Sequence, residues 1–187
     1  MAKIRVIAGE AKGRKLRMVS GGGTRPISDR VKEALFNILG NDVRESRWLD
    51  LFAGTGSVGI EALSRGAEQA VFIDTSKSAV KTIQENLTLT RLNQRADIHR
   101  IDAFKYLARE PQASFDYIYI APPQYAHLWS KALVVVDETS DWLNRGGWVI
   151  AQIHPKEYEV LSLRELFEFE QRGYGNTLLV FYKHVEE

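Results

Sequence analysis

Three glycines and three aspartates in this chain fall at spacings that can do chemistry. The run Asp50-Leu51-Phe52-Ala53-Gly54-Thr55-Gly56-Ser57-Val58-Gly59 holds Gly-x-Gly-x-x-Gly at 54, 56 and 59. Glycine lets the backbone turn sharply and lets a ligand approach where a Cβ would stand. Asp74 follows Gly54 by 20 residues, the spacing at which a carboxylate accepts hydrogen bonds from ribose hydroxyls. The combination points to an adenosine-type cofactor; the plainer alternative is a glycine turn needed only for strand–helix packing. Two cofactors compete, a nicotinamide dinucleotide and S-adenosylmethionine. Asp50, four residues before Gly54, favours the second. A carboxylate there can hold the ammonium of a methionine group but repels a pyrophosphate. Asp102 can accept from an adenine amine while the Ala103 N–H donates to the ring. Asp102 also suits a helix N-cap, and the two roles can coexist. Phe52 and Thr55, inside the glycine run, complete the expected cofactor set.

A second constellation is Ala121-Pro122-Pro123-Gln124-Tyr125. Two prolines have no donors and stiffen a loop, which then presents backbone carbonyls to a ligand. Tyr125 offers a flat face for stacking a base. The plainer alternative is an ordinary strand-to-helix loop. His99, His127, His154 and His184 show no metal-ligand spacing and read as structural or surface groups. Trp48, Trp142 and Trp148 fall in apolar runs and read as core; Trp129, beside the prolines, is a second candidate for an aromatic face.

The elements that must position these residues follow from periodicity. Residues 3–19 read as two short strands around a glycine turn, and Gly21–Gly23 as a joint. Ser28 is a plausible N-cap for a helix whose Val31, Ala34, Leu35, Ile38 and Leu39 share one face, with Gly40 as its stop. From residue 47, strands alternate with helices: strands at 47–53, 69–74, 96–102, 115–120 and 146–153, helices at 57–66, 76–90, 103–109 and 127–143. The stretch 158–171 reads as helix or strand, and 176–183 as a last strand that could close a hairpin with it. Alternation of this kind predicts an α/β fold, a mostly parallel sheet with helices on both faces. Ligands then bind beyond the carboxyl ends of the strands, where the glycine run, the aspartates and the prolines all fall.

Composition narrows the classes further. With 187 residues, 44% hydrophobic and 26% charged, the chain reads as one domain with a short appendage. Zero cysteine excludes a disulfide scaffold, a thiolate metal site and a cysteine nucleophile. Apolar runs are too short to cross a bilayer and the start lacks a secretory leader, so a cytoplasmic protein is expected, acting as a monomer without metal or membrane. The net charge of +1 hides an asymmetry: residues 1–32 hold nine Lys or Arg against two acids, and the remainder is net acidic. A basic end of this kind suits a polyanion. The expected division is a basic β-hairpin arm at 1–24 and a catalytic domain at 25–187. Lys12, Arg14, Lys15, Arg17, Arg25 and Arg30 are the expected phosphate contacts, with Lys32 beside them.

The segments TRPISDRVKEALFNIL and DLFAGTGSVGIEALSRGA, the proline loop and the arm KIRVIAGEAKGRKL together resemble one bacterial family, the D-type 16S rRNA guanine-N2 methyltransferases. The resemblance spans nearly the whole chain. It implies a class I methyltransferase (Rossmann-like) sheet of seven strands with the last reversed, and S-adenosylmethionine as donor. It implies as acceptor the exocyclic N2 of a guanine in 16S rRNA of an assembling small subunit. It also implies that Asp50, Gly54, Gly56, Asp74 and Asp102 hold the cofactor, and that Ala121, Pro122, Pro123 and Tyr125 form the catalytic loop. One departure matters. The family's loop reads Asp-Pro-Pro followed by an aromatic, whereas here Ala121 replaces the acid, Gln124 takes the aromatic position and Tyr125 comes one residue late. Losing one preorganised polar group costs ~2.7–4 kcal/mol, or 10²–10³ in rate. A catalytically weak rRNA-binding assembly factor is therefore the alternative reading.

Overall fold

Hydrogen-bonding side chains at a few positions decide where the elements begin and end. The structure, a computed structural model, describes residues 4–21 and 26–185. Two strands of two residues each, Ile4–Arg5 (β1) and Lys15–Leu16 (β2), pair antiparallel at the start. They are shorter than the two runs expected within 3–19. Around them the backbone N–H groups of Ile7, Ala8, Ala11 and Arg17 donate to side chains of the body instead of to a partner strand. The helix Asp29–Leu39 (α1) starts as expected, with Ser28 Oγ accepting from the Val31 N–H, and Gly40 ends it at φ 59°.

The alternating elements follow: Arg47–Asp50 (β3), Ser57–Ser64 (α2), Gln69–Asp74 (β4), Lys77–Thr90 (α3), Ala96–Arg100 (β5), Ala103–Leu107 (α4), Phe115–Ile120 (β6), Leu128–Glu138 (α5), Leu143–Ile153 (β7), Leu166–Tyr174 (β8) and Thr177–His184 (β9). Seven strands form one sheet in the order β5-β4-β3-β6-β7-β9-β8. The strands β3 to β7 run parallel, and β9 lies antiparallel between β7 and β8. This is the class I methyltransferase arrangement, with its reversed strand. The open choice at 158–171 resolves as strand from Leu166, because β8 needs β9 as a hairpin partner and the two meet at a tight turn holding Gly175 at φ 60°.

Two differences at β7 have a steric cause. The expected helix 127–143 ends at Glu138, and β7 begins three residues before the expected start at 146. Gly146 and Gly147 do not open the strand; they sit where its register against β6 shifts. A Cβ on Gly147 would lie 2.8 Å from the Asp116 carbonyl oxygen, so only glycine fits that close approach.

The core is two layers. Leu35 and Phe36 of α1 and Leu63 of α2 share one layer with Trp48 and Phe72; on the other face Trp129 and Leu133 of α5 share the second with Ile118 and Trp142. Ile4, Val6, Ala11 and Leu16 of the hairpin belong to the first layer. At about 25 cal/mol per Å² of apolar surface, burying such side chains outweighs their ordering only as a set. The hairpin is accordingly held to the body by packing as well as by polar contacts.

Candidate active site

The loop after β3 is shaped by its glycines. Gly54 and Gly56 adopt φ of 57° and 77°, the left-handed region that favours glycine, and Gly56 caps α2. The third glycine has a different job. A Cβ on Gly59 would lie 2.4 Å from the Phe72 ring, so it lets α2 lie directly on β4. Packing and ligand access are thus divided among the three. Asn86 of α3 ties the loop to the hairpin: its amide donates to the Thr55 and Arg17 carbonyls, and its Oδ1 accepts from the Arg17 N–H at 2.7 Å.

The three aspartates end β3 and flank the ends of β4 and β5, as expected, and all line one cleft of about 760 Å³. Asp50 is buried, and its Oδ1 has no hydrogen-bond partner among the described residues. Burial pushes its pKa up to about 8; the Phe52 N–H opposes that rise and the Asp74 charge adds to it. A buried carboxyl oxygen without a donor is costly, and a cationic guest in the cleft would relieve it. Asp74 accepts from the Gly54 N–H and from the Ser76 N–H, each at 2.9 Å and each on a different oxygen. Asp102 caps α4, with Oδ1 accepting from Phe104 and Lys105, which leaves Oδ2 for a guest. Each carboxylate oxygen offers two acceptor sites, so both residues retain capacity toward a ligand.

The opposite wall is the proline loop. Ala121, Pro122, Pro123 and Gln124 line the cleft. Tyr125 does not; it stands 64% exposed, at φ 64°, with its ring 5.8 Å from that of His154. Trp129 is a correction. It is fully buried and its indole donates to the Glu157 carbonyl, so it is core and offers no face to a base. Lys32 is another. It is fully buried against Glu61 and Ser57 and donates to the Arg5 carbonyl, so it cannot grip phosphate. Burial lowers its pKa, and the charges of Glu61 and Asp29 oppose that fall.

Of the expected phosphate contacts, Lys12, Lys15 and Arg30 are exposed and make no ion pair among the described residues. Arg17 pairs with Glu85 and Arg14 donates to the Leu89 carbonyl. Arg25 lies outside the described residues.

Several residues escaped the sequence reading. Glu61, fully buried, accepts from the Ile7 and Ala8 N–H groups and from Arg65. Tyr119 on β6 and Gln152 on β7 also line the cleft, and the Tyr119 hydroxyl donates to Gln152 Oε1. Glu157 accepts from the Tyr125 N–H at 2.6 Å and from the His154 N–H, which fixes the end of the proline loop. Their contacts to Ile7, Ala8, Tyr119 and Tyr125 span 32 to 54 residues, beyond any local pattern, although Glu157 with His154 and Glu61 with Arg65 are three and four residues apart.

Comparison with known proteins places the geometry. The family model described as Conserved hypothetical protein 95 matches residues 4–183. The chain belongs to this family. Among its relatives, YlbH of Bacillus subtilis is 38% identical over 96% of this chain and 98% of its own. Ribosomal RNA small subunit methyltransferase D of Haemophilus influenzae is 37% identical over 93% and 94%. The solved structure of yhhF from Escherichia coli superposes with a TM-score of 0.85 at 27% identity, covering 97% and 98% of the two chains. An RNA methyltransferase from Salinibacter ruber, solved in complex with S-adenosyl-L-homocysteine, shares the fold at 15% identity and a TM-score of 0.66, covering 87% and 95%. The family's fold is therefore that of methyltransferases, and the cleft described above sits where such sheets bind ligands.

Proposed function

We propose that this chain transfers a methyl group from S-adenosylmethionine to the exocyclic N2 of a guanine in small-subunit rRNA. The observation that carries the reading is Asp50. A fully buried carboxyl with one unpartnered oxygen, at the tip of the strand that leads into the glycine loop, fits a methionine ammonium. The likeness to a small subunit rRNA methyltransferase supports the substrate class.

When bound, the cofactor would supply an electrophilic methyl group. The protein's part is to hold and orient. Asp50 takes the ammonium, Asp74 the ribose hydroxyls and Asp102 Oδ2 the adenine amine, while the Ala103 N–H donates to the ring. Gly54 and Gly56 let the backbone close on the ligand, with Phe52 and Thr55 beside them. The carbonyls of Ala121 and Pro122 accept hydrogen from the guanine amine, and Tyr125, exposed beyond Pro123, can stack on the base. Proximity and orientation supply a large share of such catalysis. Lys12, Arg14, Lys15, Arg17, Arg25 and Arg30 would contact phosphate, with Lys12, Lys15 and Arg30 the least engaged elsewhere.

Ala121 favours a second reading, a weakly active or inactive rRNA-binding assembly factor, because it brings no side-chain acceptor to the amine. Labelled S-adenosylmethionine incubated with unmodified small-subunit rRNA, followed by nucleoside mass spectrometry, separates the two. The first reading expects N2-methylguanosine. Label on adenine would overturn the base assignment, and rRNA binding without any label would favour the assembly factor.

A further inference from the structure

The cleft wall next to Ala121 carries a side-chain acceptor on the neighbouring strand. The last registered pairs of β6 and β7 are Tyr119 with Ile150 and Ile120 with Ala151. Continuing that parallel register puts Ala121 beside Gln152, and strand alternation puts Tyr119, Ala121 and Gln152 on one face of the sheet. All three line the cleft. The Gln152 amide is pinned: its Oε1 accepts from the Tyr119 hydroxyl. That hydroxyl stays protonated, since burial and then the charge of Asp50 hold its pKa well above the ordinary value. A protonated hydroxyl can donate, and here it donates to Oε1. An amide oxygen has two lone pairs, so Oε1 keeps one acceptor site besides the one that the Tyr119 hydroxyl fills. Gln124, the other amide lining this wall, is exposed and takes part in no hydrogen bond among the described residues.

We infer that Gln152 is a catalytic residue for the proposed methyl transfer, supplying from β7 the side-chain acceptor that Ala121 lacks on β6. This rests on the function proposed above. In the reaction the amine nitrogen's lone pair forms the bond to the methyl carbon. The carbon–sulfur bond breaks with its pair left on sulfur, and the nitrogen then sheds one proton to solvent. Gln152 takes no proton. Its oxygen accepts from one of the two amine N–H groups, in place of one of the two proline-loop carbonyls, and so directs the lone pair at the methyl group.

Single-turnover transfer and calorimetric binding of S-adenosylhomocysteine should be measured together. Q152L, close in shape and without an acceptor, should lose ~10²-fold in rate, the worth of one preorganised contact, with cofactor affinity unchanged. Restoring an acceptor on the other strand, A121D/Q152L, should recover most of that loss. Q152N keeps the amide but withdraws it by one methylene, which tests the idea should Q152L not fold; it too should be slow. Q152L or Q152N at the wild-type rate would overturn the assignment and leave the proposed function standing. A wild-type protein that neither binds S-adenosylhomocysteine nor transfers methyl would overturn the proposed function itself, and this inference with it.

Discussion

The two walls of the cleft are built on different principles. The wall at the tips of β3, β4 and β5 carries three carboxyl groups: Asp50, Asp74 and Asp102 are set on backbone donors and helix starts. The wall at the tips of β6 and β7 shows no carboxylate among the described residues and is built of Ala121, two prolines, the amides of Gln124 and Gln152, the Tyr119 hydroxyl and apolar side chains. The first wall suits a polar, partly cationic cofactor. The second suits a neutral amine that must keep its lone pair. On the proposed function, the difference teaches that an acceptor for such an amine need not be an acid or sit on the proline loop, provided the fold holds some oxygen there without ionising it.

Adding charge to the second wall is the largest way to break the contrast. Ala121→Asp puts a carboxylate on the proline loop. Single-turnover transfer should rise by up to 10²–10³, less if Gln152 already supplies most of the effect. A variant that transfers more slowly than wild type would show a wall rebuilt around alanine.

The first wall can be attacked from beneath. Lys32 of α1 and Glu61 of α2 form a fully buried pair 3.5 Å apart, and removing one partner of such a pair costs roughly 3–5 kcal/mol. Because Arg65 still faces Glu61, Lys32→Ala should fall near the lower end, read as a shift in denaturant midpoint.

Asp50 provides a pH signature that the second wall lacks. Between roughly pH 4 and 8 the unfolded chain has lost this proton while the folded one keeps it, so its contribution makes stability fall as pH rises through that window. Asp50→Asn should remove that slope. A bound ammonium would favour the ionised form, so cofactor binding near pH 7 should release about one proton, measurable by calorimetry in buffers of different ionisation enthalpy.

The smallest effect concerns the hairpin. Lys12→Ala and Lys15→Ala should each lower the slope of log K for rRNA against log salt by about 0.7–0.9, with cofactor affinity unchanged. Deleting the hairpin would be a poorer test. It would strip Ile4, Val6, Ala11 and Leu16 from the core and take the Ile7 and Ala8 N–H donors from Glu61 and the Arg17 contacts from Asn86.

The first wall was legible in the sequence because its chemistry is local. Gly54, Gly56 and Asp50 lie within one strand–loop–helix unit, and Asp74 and Asp102 sit at strand ends that periodicity alone marks out. The alternation of strands and helices likewise announced the parallel sheet. Gln152 and Glu157 were not legible, since their roles depend on which strand lies beside β6 and where the chain after β7 returns. Lys32 misled for the same reason: on a basic segment it reads as surface, and only the burial of Glu61 beneath the hairpin turns it inward. Trp129 stands one residue inside α5, and helix phase, invisible in composition, points its ring into the core.

Binding of S-adenosylhomocysteine to Asp74→Ala and to Q152L, titrated side by side, tests the division of the cleft most directly. Asp74→Ala should weaken binding by about 1.5–3 kcal/mol, or roughly 10–150-fold, the scale of a lost charged hydrogen bond. Q152L should bind like the wild type. Equal losses in both variants, or a loss in Q152L alone, would contradict a cleft with one wall for the cofactor and another for the accepting amine.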